Sequence, residues 1–135
     1  MKYTIEEVLN EKQAKEFLLL PVSLYKNDEN WVRPLDNDIT KVFDPEKNPF
    51  FKHGECTRWL LRDEKGCCVG RVASFIDKSS CHLDSYSVGG MGFFECINDQ
   101  EAAFMLFDRC RAWLEERGME SMEGPVNFGE RNEWW

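Results

Sequence analysis

Hydrophobic positions change their spacing several times along the chain, and the spacing predicts the order strand, helix, long loop, three strands, helix and strand. Residues 3–9 form the first predicted strand. A capping box, Asn10–Gln13, begins a helix predicted over 11–20, which Pro21 kinks or ends. A continuation of this helix to Tyr25 is the alternative.

The middle of the chain combines a long loop with three strands. Residues 26–55 are polar but rich in aromatic residues and proline, which is typical either of a functional lid or of a loop covering one end of the core. One short helix is expected there, after Asp36. Alternation predicts an antiparallel hairpin of strands 56–63 and 67–77. The run 90–97 is apolar on both sides and predicts a central strand covered on both faces.

The last predicted helix has the most regular period. Asn98 or Asp99 caps it, and Gly118 closes it. A strand over 121–127 follows, and if it lies parallel beside 90–97, the two form a right-handed crossover unit. Positions expected on the buried face of the helix step by three and four: Ala103, Leu106, Phe107, Cys110, Trp113 and Leu114.

Composition excludes several classes of function. The 135 residues are enough for one domain, and 42% hydrophobic residues are too many for a disordered chain. A net charge of -8 opposes binding to nucleic acid or to anionic lipid. No apolar run approaches the ~18 residues of a membrane span, and no apolar segment follows Lys2 as a signal peptide requires. We therefore expect a cytoplasmic protein without a transmembrane segment.

The six cysteines are irregularly spaced and form no CxxC motif, so reduced thiols that fill the core are the favoured interpretation. A zinc site built from His53, Cys56, Cys81 and His82 is the alternative. Because neighbouring side chains on a strand point apart, that spacing suits zinc poorly. We expect no metal.

The order of elements resembles the amino-terminal part of the GNAT acyltransferase fold. Five segments are similar to the opening of a GNAT-like family of Bacteroides-type bacteria, itself similar to the bacterial ceramide-synthase-like N-acyltransferases. The resemblance implies an α/β (α+β) fold, with a mixed, mostly antiparallel sheet and helices on both faces. The segments are FLLLPVSLY at 17–25, WVRPL at 31–35, GRVA at 70–73, GFFE at 92–95 and GPVNFG at 124–129.

This resemblance also implies an activity, the transfer of an acyl group from a CoA thioester to an amine. A sphingoid base or another lipid-like amine is the implied acceptor. Acyl-CoA is the expected co-substrate, and no covalently bound cofactor is expected. Because members of the family are longer and continue with a second GNAT-like half, residues 1–135 are expected to be a single GNAT-like domain truncated at its carboxyl end.

Glu95 is the candidate catalytic residue. Period two places it on one strand face with Met91, Phe93 and Ile97, where burial would raise the carboxyl pKa and suit a general base. GNAT enzymes often keep a catalytic Glu on this strand. The alternative is a structural carboxylate near the strand end, paired with a cation such as Arg71.

The loop before the last helix is the place where GNAT enzymes bind the CoA pyrophosphate on backbone amides. Asn98, Asp99 and Gln100 occupy this place, and the segment 97–103 contains no glycine. Carboxylates in the first helical turn repel phosphate. We therefore expect either a poor CoA site or an ordinary acidic helix cap, with the absent half as the better candidate for CoA binding.

Candidate substrate-binding residues lie elsewhere. Asn127, Glu130 and Arg131 line a cleft after the last strand if this segment is not merely a turn, and Arg33 and Arg71 are cations for an anionic ligand. No nucleophile elbow or Ser–His pairing is present, which disfavours a hydrolase. The competing function is a non-catalytic, degenerate GNAT-like module that packs on a second domain or forms a homodimer, for which its aromatic end and strand edges are suited.

Overall fold

The computed structural model describes residues 3–29, 36–44, 46, 48, 54–77, 82–83, 86–119 and 121–123. None of the helices in these residues is long and apolar enough to cross a bilayer. The elements are β1 (Thr4–Glu7), α1 (Glu11–Leu24), α2 (Asp36–Val42), β2 (Gly54–Arg62), β3 (Cys68–Asp77), β4 (His82–Leu83), β5 (Tyr86–Cys96), α3 (Gln100–Glu116) and β6 (Ser121–Glu123).

One mixed sheet organises these elements. Strands β1, β2, β3 and β5 lie side by side and antiparallel, β4 pairs antiparallel with the start of β5, and β6 pairs parallel with 88–90 of β5. The predicted hairpin, central strand and parallel last strand are confirmed. Strand β4 was not predicted, because two residues are too few to show alternation, and β5 begins at Tyr86 rather than at 90.

Apolar side chains alternate between the two faces of the sheet. In β2, Trp59 and Leu61 join the cluster under α3, whereas Leu60 joins the cluster under α1 and α2. Helices on both faces confirm the expected layers. From α3 the residues buried against the sheet are Ala102, Leu106, Cys110, Trp113 and Leu114. Ala103 and Phe107, predicted on this face, are only half-buried, and the ring of Phe107 stacks on that of Phe94 with centroids 4.6 Å apart.

Helix α1 begins as predicted and ends later than the main prediction. Asn10 Oδ1 accepts a hydrogen bond from the Gln13 amide at 2.8 Å, and Gln13 Oε1 accepts one from the Leu9 amide at 2.7 Å. The helix then continues through Pro21 to Leu24, so the expected end at 20 is wrong and the longer alternative is nearer. Proline has no N–H for the carbonyl four residues earlier, and Arg71 provides that donor instead, as described below.

Strand β5 contains a β-bulge. Arg71 of β3 faces Glu95, and Ala73 faces Gly92, so Phe93 and Phe94 both oppose the single residue Val72. Phe93 adopts a φ of 55°, a left-handed conformation that is uncommon for a residue with a side chain. The bulge breaks the period-two pattern of the strand at this point.

The predicted common face of Met91, Phe93, Glu95 and Ile97 is confirmed only for Phe93 and Glu95. The bulge separates Met91 from these two, and Ile97 lies beyond the end of β5. Phe93 packs in the cluster under α1, and Glu95 contacts the end of α1. Met91 and Ile97 pack instead against the cluster under α3. One extra residue in a strand moves the side chains beyond it to the opposite face.

Close packing of β5 against α3 predicts a strong effect at Gly89. A methyl group added there would lie 2.3 Å from Cδ2 of Leu114, which is 2% exposed. We expect Gly89→Ala to lower the free energy of unfolding by about 1–3 kcal/mol through overpacking. Urea denaturation measures this, and Leu114→Ala in the same background should relieve the clash. Strict additivity of the two changes would contradict the packing described here.

Candidate active site

Glu95 is a half-buried carboxylate two residues beyond the bulge, and it lies against the end of α1. The hydroxyl of Tyr25, the residue that caps α1, donates a hydrogen bond to Glu95 Oε1. This bond, helped by partial burial and by the charge of Glu95, raises the pKa of Tyr25 to about 12. A carboxylate and a phenol therefore meet at one end of the face covered by α1.

Tyr25 is not among the site residues predicted from the sequence. It lies 70 residues from Glu95 along the chain. No motif spacing links two residues so far apart, since the contact depends on how far α1 continues past Pro21. The length of the helix was the one available signal.

Arg71 is the cross-strand neighbour of Glu95. The alternative predicted that the two side chains pair, whereas the guanidinium donates to two backbone carbonyls and Glu95 accepts from Tyr25. The side chain of Arg71 is 4% exposed, with the guanidinium 4.7 Å above the ring of Phe17. Nε donates to the Phe93 carbonyl at 2.9 Å, and Nη1 donates to the Phe17 carbonyl at 2.6 Å. Burial lowers the pKa of Arg71 to about 10, while the charge of Glu95 opposes that shift, so the group is cationic at neutral pH.

The beginning of α3 has the geometry of an acidic helix cap. Asp99 is the N-cap, and its Oδ1 accepts from the Glu101 amide at 3.0 Å. Tyr3 donates from its hydroxyl to the other oxygen of Asp99. Asn98 and Gln100 are exposed beside it. These three predicted CoA residues line an open groove of about 710 Å³, together with Tyr3, Ile97 and the hairpin turn 63–65.

The described cysteines are free thiols, as expected. Cys110 is fully buried under α3, and burial raises its pKa, like that of Cys56, to about 12. Cys67 is exposed, so the expectation that it packs in the core is wrong. It ends the hairpin turn, where its amide donates to Asp63 Oδ1 at 3.0 Å.

Several predicted residues lie outside the part of the chain that the structure describes. These are the substrate-binding candidates Arg33, Asn127, Glu130 and Arg131, and His53 and Cys81 of the zinc alternative. Among the residues that are described, no three His, Cys, Asp or Glu side chains are grouped so that they could hold a metal ion.

No family model matches the sequence. Protein YghO of Escherichia coli (strain K12) is 30% identical over 126 residues, which are 92% of this chain and 31% of that protein. The chain therefore spans about a third of the length of this curated relative.

Solved structures determine the fold class. A predicted acetyltransferase with acetyl-CoA from Clostridium acetobutylicum superposes with a TM-score of 0.63 at 12% identity, covering 98% of this chain and 94% of that one. This chain has a GNAT fold. AAC(6')-Iy in complex with the bisubstrate analogue CoA-S-monomethyl-acetylneamine matches this GNAT fold with a TM-score of 0.61 at 14% identity, over 93% and 80% of the two chains. A tandem GNAT protein from the clavulanic acid biosynthesis pathway gives 0.65 at 11% identity, over 87% of this chain and 34% of that one.

The bond between Tyr25 and Glu95 predicts a specific loss of stability at high pH. The phenol pKa is about 12 in the folded chain and ~10 when unfolded, so the stabilising contribution is complete below pH ~10 and is lost toward pH ~12. We expect the difference in unfolding free energy between the native chain and Tyr25→Phe to shrink over that range. Urea titrations measure the difference, and a constant value across this range would contradict the bond.

Proposed function

We propose that this chain carries the acceptor end of an N-acyltransferase, which moves an acyl group from a CoA thioester to an amine. The observation that carries the proposal is the Glu95 carboxylate, held just beyond the β5 bulge by a phenol from α1. The GNAT fold supports it, because solved structures with this fold are named for acetyl-CoA and for a CoA-linked amine analogue.

In this reaction Glu95 takes a proton from the ammonium group of the acceptor. The freed nitrogen attacks the thioester carbonyl, and a C–N bond forms. The attacking nitrogen then gives up its second proton, which passes through solvent to the leaving sulfur as the C–S bond breaks. CoA departs as the thiol, and Glu95 returns its own proton to solvent. Oε1 of Glu95 already accepts the hydrogen bond from the Tyr25 hydroxyl. Oε2 makes no hydrogen bond within the described part of the chain, and it is the atom that we assign to proton transfer.

The proposal also covers the two substrates and the further sequence beside which this chain works. We propose acyl-CoA as co-substrate and a lipid-like amine as acceptor, in keeping with the resemblance to ceramide-synthase-like N-acyltransferases. Arg33, Asn127, Glu130 and Arg131 stay candidates for contacts with it. The 31% share of YghO and the 34% share of the tandem GNAT protein support an arrangement in which this chain works beside further sequence.

One observation favours a second candidate, the non-catalytic GNAT-like module. Asp99 caps α3, Tyr3 anchors Asp99, and Glu101 adds a second carboxylate to the first turn. Anionic groups at a helix N-terminus already satisfy the partial positive charge that would attract a pyrophosphate. A chain of this kind would pack on a second domain or on a second copy without binding CoA.

Substitution of Glu95 tests the proton transfer. We expect Glu95→Gln to slow acyl transfer by about 10²-fold or more, because the amide cannot accept the proton. The assay follows thiol release from acetyl-CoA and from a long-chain acyl-CoA with a panel of amines. Glu115→Gln, at an exposed position on α3, is the matched control. Equal rates for Glu95→Gln and the native protein would remove Glu95 from the mechanism.

Thermal unfolding separates the two candidate functions. A ligand at about 100 times its dissociation constant adds roughly 2.7 kcal/mol of stability, which raises the midpoint of a domain of this size by several degrees. The enzyme proposal expects this rise with acetyl-CoA or a long-chain acyl-CoA. An unchanged midpoint with both would favour the module and would assign CoA binding to sequence outside this chain.

A further inference from the structure

Two irregularities in the backbone lie on opposite sides of one buried guanidinium. Pro21 interrupts the hydrogen bonding of α1, and Phe93 takes a left-handed conformation in β5. Arg71 of β3 lies between them, with 4% of its surface exposed. Each irregular segment contributes one carbonyl oxygen to this arginine.

The carbonyl from α1 is the one that proline leaves without a helical donor. In a regular helix the amide at 21 would donate to the Phe17 carbonyl, but proline has no N–H. Arg71 Nη1 donates to that oxygen at 2.6 Å. A hydrogen bond from a charged guanidinium is stronger than the backbone N–H···O hydrogen bond that it replaces.

The carbonyl from β5 belongs to the bulge. A bulge disrupts the regular ladder around its extra residue, and here that residue is Phe93. Arg71 Nε donates to its carbonyl at 2.9 Å. The two donors belong to one rigid planar group, so the distance between α1 and the bulge is fixed by the shape of the guanidinium.

We infer that Arg71 is a positioning residue, which sets the geometry of Glu95 and Tyr25 rather than contacting substrate itself. Glu95 follows the bulge by two residues, and Tyr25 follows Pro21 by four on the same helix end. Holding Phe17 and Phe93 at a fixed separation therefore holds the phenol against the carboxylate. The inference about position depends on the structure alone, and its consequence for acyl transfer rests on the proposed function.

A double-mutant cycle between Pro21 and Arg71 tests the shared carbonyl. Pro21→Ala restores an amide donor for Phe17, so it should stabilise the chain more when Arg71 is replaced by Met than when Arg71 is present. We expect the two effects on the unfolding equilibrium constant to differ by about fivefold or more. The same cycle with Arg62→Met is the control, since Arg62 contacts α1 through the Glu16 side chain. Equal effects in both Arg71 backgrounds would overturn the inference. If Arg71→Met does not fold, Arg71→Lys takes its place.

A second experiment measures the position of Tyr25 relative to Glu95 through the pKa of the Tyr25 hydroxyl. This pKa responds to Glu95, Arg71 and Asp28, so the test variant must preserve charge. Arg71→Lys keeps the cation but has no rigid fork for two carbonyls. The ¹³Cζ signal of Tyr25, assigned with Tyr25→Phe, should titrate near pH ~12 in the native chain and closer to ~10 in Arg71→Lys. Arg62→Lys should leave it unchanged. An unchanged titration in folded Arg71→Lys would show that Arg71 is merely structural.

The rate of acyl transfer provides the last test of the role of Arg71. We expect Arg71→Lys to lower kcat by about tenfold or more, with KM for the acyl-CoA unchanged, because a displaced base slows chemistry rather than binding. If a folded variant shifts the Tyr25 titration and keeps full kcat, the positioning role is overturned. If no acyl transfer is found in the native protein, the proposed function fails, and the cycle and the titration still decide the position of Glu95 and Tyr25.

Discussion

The buried guanidinium of Arg71, bonded to one carbonyl of α1 and one of β5, is the interaction on which the described architecture depends. Without it, Pro21 would leave the Phe17 carbonyl without a donor inside the fold, and Phe93 would hold a left-handed conformation that costs roughly 1–3 kcal/mol. Burying a cation is itself costly. Two charge-assisted bonds, the ring of Phe17 and the neighbouring charge of Glu95 offset that cost.

This constraint explains why a phenol and a carboxylate meet at one end of the sheet. The helix continues past its proline far enough to bring Tyr25 over β5, and the bulge turns Glu95 toward that helix. On the opposite face α3 packs on a separate apolar cluster that includes Trp59 and Leu106. Glu95 faces α1, whereas the acidic cap begins α3 on the other face of the sheet, so the carboxylates of the cap disfavour a pyrophosphate there without taking the place of Glu95.

Much of this fold could be predicted from local patterns, because regular helices and strands show a characteristic hydrophobic period and characteristic capping residues in the sequence. The hairpin, the capping box at Asn10 and the helix ended by Gly118 are of this kind. The strand face of Glu95 could not be predicted, since a bulge has no signature when its left-handed residue is phenylalanine. The role of Pro21 could not be predicted either, since a proline inside this helix is tolerated only because Arg71, 50 positions later in the sequence, donates to the Phe17 carbonyl. Contacts between distant segments, such as Tyr25 with Glu95, likewise depend on packing.

The most direct test of this account is the exchange rate of the Arg71 Nε proton in the native chain, observed by ¹⁵N NMR. That proton is buried and bonded to the Phe93 carbonyl. The side chain of Arg111, which is 67% exposed, is the internal reference. We expect the Arg71 proton to exchange with water about 10²-fold or more slowly than that of Arg111, since exchange at Arg71 requires local opening of the fold. Exchange of the two protons at the same rate would contradict it.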